Sequence, residues 1–174
     1  MNFEESKTKE CLEKALQGEA LAHLKYQFYK STISNYSKEY ESIFKEIIHN
    51  EKEHGKIWFK KLHDGSVPNN LDNLFDAIQG ETYEHLEMYP KFSEIAKEEG
   101  YDEISELFSE IAKIEGYHSK EFERLRNEIQ EKENFKSDEN TIWKCLNCGF
   151  KYEGDEALDE CPVCSHPQKY FIKV

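Results

Sequence analysis

The stretch Ile47-Ile48-His49-Asn50-Glu51-Lys52-Glu53-His54-Gly55-Lys56-Ile57-Trp58 decides the fold. In steps of three and four it belongs to an apolar stripe, Phe44, Ile47, Glu51, His54, Trp58 and Leu62, which would face inward on a helix yet carries a carboxylate and an imidazole at its middle. The same interruption recurs in three other segments. Leu12, Ala15, Glu19, Ala22, Tyr26, Tyr29 and Ile33 include one glutamate, and Leu74, Ala77, Glu81, Glu84, Met88, Phe92 and Ile95 include two. Ile104, Phe108, Ile111, Glu115, His118, Phe122 and Leu125 again pair a glutamate with a histidine three residues on.

Outward from these stripes, Glu4 to about Lys132 is rich in Glu, Lys, Leu, Ile and Ala and nearly free of proline. Breaks at Ser34–Ser37, Asp64–Asn70 and Gly100 delimit four helices, about 4–33, 38–63, 71–98 and 102–132. Four long helices predict a bundle. The stretch 64–79, with a helical piece after Leu71, is the expected crossover of a ferritin-like topology, with an up-down-up-down bundle as the alternative. Pro90 lacks the amide that would bond Leu86, so the third helix is expected to kink there.

Five glutamates in an apolar interior each lose several kcal/mol of hydration unless something compensates. Five carboxylates and two imidazoles at one level are most simply compensated by cations. Such ligands without thiolate suit iron or manganese, and Glu on two helices with Glu-x-x-His on two others is the di-iron carboxylate pattern. With 29 Glu and seven His in 174 residues, chance supplies about one Glu-x-x-His, and the chain has three. Glu46 with His49 is read as a solvated pair, because Glu46 lies about 140° around the helix from Glu51. The separations Glu19 to Glu51 and Glu84 to Glu115, 32 and 31 residues, suggest two hairpins about a pseudo-twofold axis. Gly18, Gly55, Gly80 and Gly116 each adjoin a candidate ligand, consistent with close helix approach at a metal. Tyr26 and Tyr89 are candidates to orient ligands by hydrogen bonding. His23, His63, His85 and His166 read as surface or structural, and Cys11 as a half-buried thiol.

Beyond Glu133 the periodicity stops. Residues 134–142 read as a polar linker, and Cys145, Cys148, Cys161 and Cys164 form two CxxC knuckles twelve residues apart, a strong signal for one tetrahedral four-sulfur site. Iron or structural zinc would fit; a redox pair that must be re-reduced favours iron, since zinc cannot change valence. The formal charge of −13 and the lack of a basic patch exclude a phosphate-backbone binder as first choice. No apolar run approaches the roughly 20 residues of a membrane span, and no signal peptide is read, so a cytoplasmic location is expected.

The chain resembles rubrerythrin over residues 3–174. The matching stretches are Gly18-Glu19 with Tyr26, Glu51-Lys-Glu-His54, Gly80-Glu81-Thr-Tyr-Glu84 on to Glu87-Met88-Tyr89-Pro90, Glu115-Gly-Tyr-His118, and Trp143-x-Cys145-x-x-Cys148-Gly149 through Gly154 to Cys161-Pro162-Val163-Cys164. Ser165 and Leu158 depart from the family's frequent glycine and proline. The resemblance implies a ferritin-like di-iron four-helix bundle (1–133), a linker (134–142) and a rubredoxin-like four-cysteine iron domain (143–174). It makes Glu51 and Glu115 bridging carboxylates, Glu19 a ligand of one iron, Glu81 and His118 ligands of the other, and His54 and Glu84 alternative ligands exchanged with redox state. The implied activity is reduction of hydrogen peroxide to water in oxidative-stress protection. Electrons would come from an NAD(P)H-linked reductase or external rubredoxin through the four-cysteine iron, in a head-to-tail homodimer. A ferroxidase or iron-storage protein and a zinc-stabilised interaction module are the rivals.

Overall fold

The computed structural model describes residues 2–131 and 133–174. It divides into two compact units, Met1–Pro68 and Asn69–Val174.

The first unit is a helical hairpin. After a 3-10 turn at Phe3–Glu5, Ser6 accepts the Lys9 amide at 3.1 Å and starts α1 (Lys7–Ile33). Ser37 caps α2 (Lys38–Leu62) by accepting the Tyr40 amide. These hydroxyls satisfy amides that the first helical turn leaves without partners. Tyr26 meets the Phe44 ring, His23 meets the Ile48 carbonyl, and Glu19 meets His54, so residue numbers rise on one helix as they fall on the other. The hairpin is antiparallel. At the end of α2 the Gly65 amide donates to the Lys60 carbonyl at 2.7 Å, with Asp64 (φ 52) and Gly65 (φ 86) both left-handed, which stops the helix.

In the second unit, the Asn69 side chain accepts the Leu71 and Asp72 amides at 3.0 Å to start α3 (Asn70–Tyr83). A π turn, Glu84–Met88, joins it to α4 (Tyr89–Glu98), and Gly100 (φ 85) reverses the chain into α5 (Asp102–Glu131). Pro90 lies at the start of α4, so the expected kink takes the form of this π turn, which absorbs the missing amide. The stretch 64–79 is helical from Asn70, close to the helical piece expected after Leu71, and residues 63–69 connect α2 to α3.

A 3-10 turn, Glu133–Phe135, leads into a three-stranded antiparallel sheet of order β2-β1-β3: β1 Lys136–Cys145, β2 Lys151–Glu156 and β3 Phe171–Lys173. The polar stretch expected as a linker is thus mostly strand. Phe135 packs on the small core and its carbonyl accepts the Ala157 amide at 2.7 Å, drawing the chain into the sheet before the irregularity between Lys136 and Thr141. That core is Trp143, Cys145, Ala157, Cys161 and Phe171, with the Trp143 indole donating to the Gly154 carbonyl at 3.0 Å.

The apolar stripes are not where the helices are driest. Burial falls one residue further round, on Ile48 rather than Ile47, Ala96 rather than Ile95, Ser105 rather than Ile104, and Ser119 rather than His118. These are the edges that meet the other helix of the same hairpin. The ligand-bearing stripes stay open: Tyr29, Ile47, Phe92, Ile95, Ile104 and Leu125 are all exposed. Among the described residues no helix is long and apolar enough to cross a membrane.

Candidate metal centres

Two groups of carboxylates and imidazole form on the helices, one in each unit. In the first, ligand atoms of Glu19 from α1 and of Glu51 and His54 from α2 lie within 4.8 Å of one another. In the second, Glu81 from α3 and Glu115 and His118 from α5 do the same. Each Glu-x-x-His puts both side chains on one helix face. The two groups are near copies. His54 Nδ1 is 3.1 Å from Glu51 and 3.7 Å from Glu19; His118 Nδ1 is 2.7 Å from Glu115 and 3.5 Å from Glu81. Side-chain exposures match as well: 17% and 14% for Glu51 and Glu115, 26% and 24% for Glu19 and Glu81, and 51% for both histidines. The counterpart of Glu19 is therefore Glu81, not Glu84 as the sequence separations suggested. Glu84 lies outside the close group, on the π turn, where its charge bears on Glu81 and Tyr89.

The electrostatics show why such groups want a cation. Glu19 is held below the usual carboxylate range by a hydrogen bond with Glu51, against the effect of burial and with help from Trp58 and His54. Glu81 is pushed up by burial and then by Glu115. In the second group the neighbouring carboxylates thus disfavour the charge on Glu81, which a bound cation relieves. Tyr89 is raised by burial and by the charges of Glu84, Glu115 and Glu81, so it stays a protonated donor facing the acids; it packs on Phe92 and Phe108. Tyr26 packs between Tyr29 and Phe44. Sequence reasoning missed Trp58, whose indole N–H donates to Glu19 at 3.5 Å; its place four residues after His54 was the available signal.

His85, read as structural, donates from Nδ1 to the Ala112 carbonyl at 2.5 Å, and its ring covers Gly116. Thr82 and Ser119 hydroxyls, 2.8 Å apart, tie α3 to α5 beside the second group.

In the C-terminal unit the four cysteine sulfurs also lie within 4.8 Å of one another, with Cys145 to Cys164 at 3.7 Å and Cys148 to Cys161 at 3.6 Å. Disulfide sulfurs sit about 2.05 Å apart; metal–sulfur bonds of about 2.3 Å in a tetrahedron give edges of about 3.8 Å. The geometry is that of a metal site. The two knuckles repeat a turn, the Gly149 amide donating to Cys145 O at 2.8 Å and the Ser165 amide to Cys161 O at 2.9 Å. The Phe150 backbone bond favours the Cys148 thiolate, but burial and the three neighbouring thiols outweigh it and push the thiol up to about 12. Cys164 moves the other way: burial raises its thiol, but hydrogen bonds with Cys148, the His166 backbone, Asn147 and Cys161 outweigh that and lower it. A bound cation favours the thiolate form of such clustered sulfurs.

The fold and these sites define a class: a helical carboxylate–histidine metalloprotein fused to a four-thiolate metal unit. Comparison with known proteins places the chain within that class. The rubrerythrin family model matches residues 10–126, and the model for the rubredoxin-like domain of rubrerythrin matches residues 143–172. Rubrerythrin of Clostridium perfringens is 40% identical over 182 aligned positions, covering 95% of this chain and 93% of that one. A putative rubrerythrin of Methanocaldococcus jannaschii is 38% identical (92% and 89% covered), and rubrerythrin of Nitratidesulfovibrio vulgaris 34% identical (95% and 93%). The chain belongs to the rubrerythrin family, whose fold is a ferritin-like helical bundle with a rubredoxin-like C-terminal domain. It is accordingly an iron-binding oxidoreductase of the oxidative-stress class, with an iron pair among the helical carboxylates and a further iron in the four-thiolate site. The donor sets fit those metals: oxygen and nitrogen ligands on the helices, sulfur alone in the sheet unit.

Proposed function

We propose that the chain is a non-haem di-iron peroxidase that reduces hydrogen peroxide to water in the cytoplasm, drawing electrons from an NAD(P)H-linked reductase or an external rubredoxin. The observation that carries this reading is the pairing, in one chain, of two matched Glu–Glu–His groups with a four-thiolate site. Glu19, Glu51, Glu81, Glu115 and His118 would hold the iron pair, with His54 and Glu84 as alternative ligands according to redox state. Helical residues 1–133 and the thiolate unit 143–174 then act as separate functional domains. When bound, iron supplies the two electrons and the Lewis acidity that O–O cleavage needs, and iron at the four thiolates relays electrons from the donor.

The remaining roles fall to the chain. Glu19, Glu51, Glu81 and Glu115 supply anionic charge that favours the oxidised metals, and Glu84 replacing His54 adds one more negative charge when positive charge rises. Trp58 holds the Glu19 carboxylate by its N–H, fixing which oxygen is free to ligate. Tyr89 donates its phenol proton towards the acidic cluster. Two protons and two electrons convert each peroxide to two waters, the protons entering from solvent past the half-exposed histidines.

The test is anaerobic reduction followed by addition of peroxide or oxygen in turn. Reoxidation at least tenfold faster with peroxide is expected. Faster reoxidation by oxygen would favour the ferroxidase reading and overturn this one.

A further inference from the structure

We propose that His23 and His85 are a matched pair of positioning residues, each fixing the register of the two helices that carry one Glu–Glu–His group; this rests on the di-iron reading above. His23 donates from Nδ1 to the Ile48 carbonyl at 2.9 Å, and His85 from Nδ1 to the Ala112 carbonyl at 2.5 Å. A carbonyl can only accept, so Nδ1 carries the proton in both; a helical carbonyl keeps a second lone pair after its bond to the amide one turn on, and the imidazole takes it. The two bonds occupy the same place in their hairpins. His23 lies four residues after Glu19 and Ile48 three before Glu51, while His85 lies four after Glu81 and Ala112 three before Glu115. At 1.5 Å per residue the histidine stands about 6 Å beyond the lone glutamate and the carbonyl about 4.5 Å before the Glu-x-x-His, which on antiparallel helices is the same direction. Each bond therefore crosses its hairpin about one turn from the ligands.

The surroundings of the two bonds differ, which makes the repetition informative. Beside the second group the Thr82 and Ser119 hydroxyls share a further bond of 2.8 Å; the corresponding places in the first hairpin are Ala20 and Gly55, which have no hydroxyl. His85 sits on the π turn with its ring over Gly116, where the corresponding place in the first hairpin is Lys52. At His23 the Gln27 side-chain amide donates to Nε2 at 2.6 Å and holds the ring from its far side. The histidine-to-carbonyl bond is common to both. Its use follows from what the apolar stripe leaves open: sliding one helix past the other by a turn of about 5.4 Å keeps the same face inward, whereas the ligand atoms of each group meet within 4.8 Å at one register only. Like-charged carboxylates do not draw their own helices together. A directional bond one turn away supplies that register, since both torsions of the imidazole are fixed once Nδ1 meets its carbonyl. Groups that orient metal ligands change metal affinity by about 10–100-fold when removed.

The test is the ferrous affinity of the helices, measured anaerobically by competition with a coloured chelator on full-length protein whose thiolate site is already filled with iron. His23→Leu and His85→Leu remove the donor and keep a bulky helix-forming side chain. Each should weaken helical iron about tenfold or more and alter the electron paramagnetic resonance signal of the half-reduced iron pair, while the circular dichroism at 222 nm stays as in the wild type. His23→Asn and His85→Asn put an amide N–H where Nδ1 stood and should return most of the affinity. Ser93→Ala is the control. Its hydroxyl donates to the Ser105 carbonyl of α5 at 2.9 Å, but Ser105 lies ten residues before Glu115, about 15 Å along the helix, so its loss should lower the urea midpoint and leave iron affinity unchanged. Where a leucine variant does not fold, the alanine variant at the same position is read in its place. Folded leucine variants with wild-type affinity and signal, a loss confined to one of the two histidines, no return with asparagine, or an equal loss with Ser93→Ala would overturn the proposal. A wild type that takes no iron at its helices overturns the di-iron reading instead.

Discussion

Gly116→Ala should destabilise the helical part, although alanine favours a helix over glycine by about 1 kcal/mol. The reason is His85. A Cβ on residue 116 would lie 2.9 Å from His85 Cε1 and Nε2, closer than real contacts allow, and the ring cannot swing away freely because its Nδ1 donates to the Ala112 carbonyl at 2.5 Å. Overpacking of this kind costs about 1–3 kcal/mol, and loss of the hydrogen bond about 0.5–1.5 kcal/mol. Set against the helical gain, the net loss is about 2 kcal/mol. Gly55→Ala is the control: its Cβ would stand 3.6 Å from Glu19 Cβ and 3.7 Å from Leu16 Cδ1, ordinary contacts, so about 1 kcal/mol of helix propensity should appear as stability. The assay is urea unfolding of the iron-loaded protein followed by circular dichroism at 222 nm. Adding His85→Ala to Gly116→Ala removes the obstruction and should return stability relative to the single variant. A Gly116→Ala protein as stable as wild type, or a double variant no better than the single one, would refute this account.

Three other outcomes follow from the same geometry. Ser165 holds φ 55 where the matching knuckle has Gly149 at φ 80. A left-handed non-glycine residue costs about 1–2 kcal/mol, and glycine returns part of that as unfolded-chain entropy, so Ser165→Gly should stabilise the thiolate unit by about 0.5–1 kcal/mol; an unchanged or lower thermal midpoint of the visible thiolate–iron band would contradict it. Cys161→Ser should abolish reductase-driven turnover and leave the 222 nm signal of the helices intact; loss of that signal would show that the helices depend on the thiolate unit. Glu84→Ala should retain most of the helical iron and slow peroxide turnover about tenfold or more, as expected for a residue beside the close Glu81–Glu115–His118 group; loss of iron in proportion to activity would make Glu84 a permanent ligand.

The helices and the four-sulfur site were legible because local rules fix them. Ser6, Ser37 and Asn69 stand where caps are required, and two CxxC knuckles can do little but converge. The motif resemblance set Glu81 beside His118, but residue separation alone pointed to Glu84 as the partner of Glu115, because it ignores the π turn at Glu84–Met88. The reasons for the glycines were not legible. One shared cause, close helix approach at a metal, was expected for all four; Gly116 answers to the His85 ring, a Cβ at Gly55 would meet only ordinary contacts, and nothing among the described residues crowds Gly18 or Gly80. The polar stretch 136–142 was misread because one aromatic, Phe135, and one backbone bond to Ala157 outweigh its composition.

The offset between the predicted stripes and the buried positions carries the deeper lesson. A helix in a four-helix bundle has two inward duties, towards its hairpin neighbour and towards the opposite hairpin, and the apolar arc must cover both. The first is discharged by Ile48 and Gly55 on α2, and by Ser105, Ala112, Gly116 and Ser119 on α5, small or narrow residues that let helices approach. Ile47, His54, Ile104 and His118, one position round beside the candidate metal ligands, stay exposed. Periodicity in the sequence reports the sum of the two arcs and so predicts a core at every stripe position.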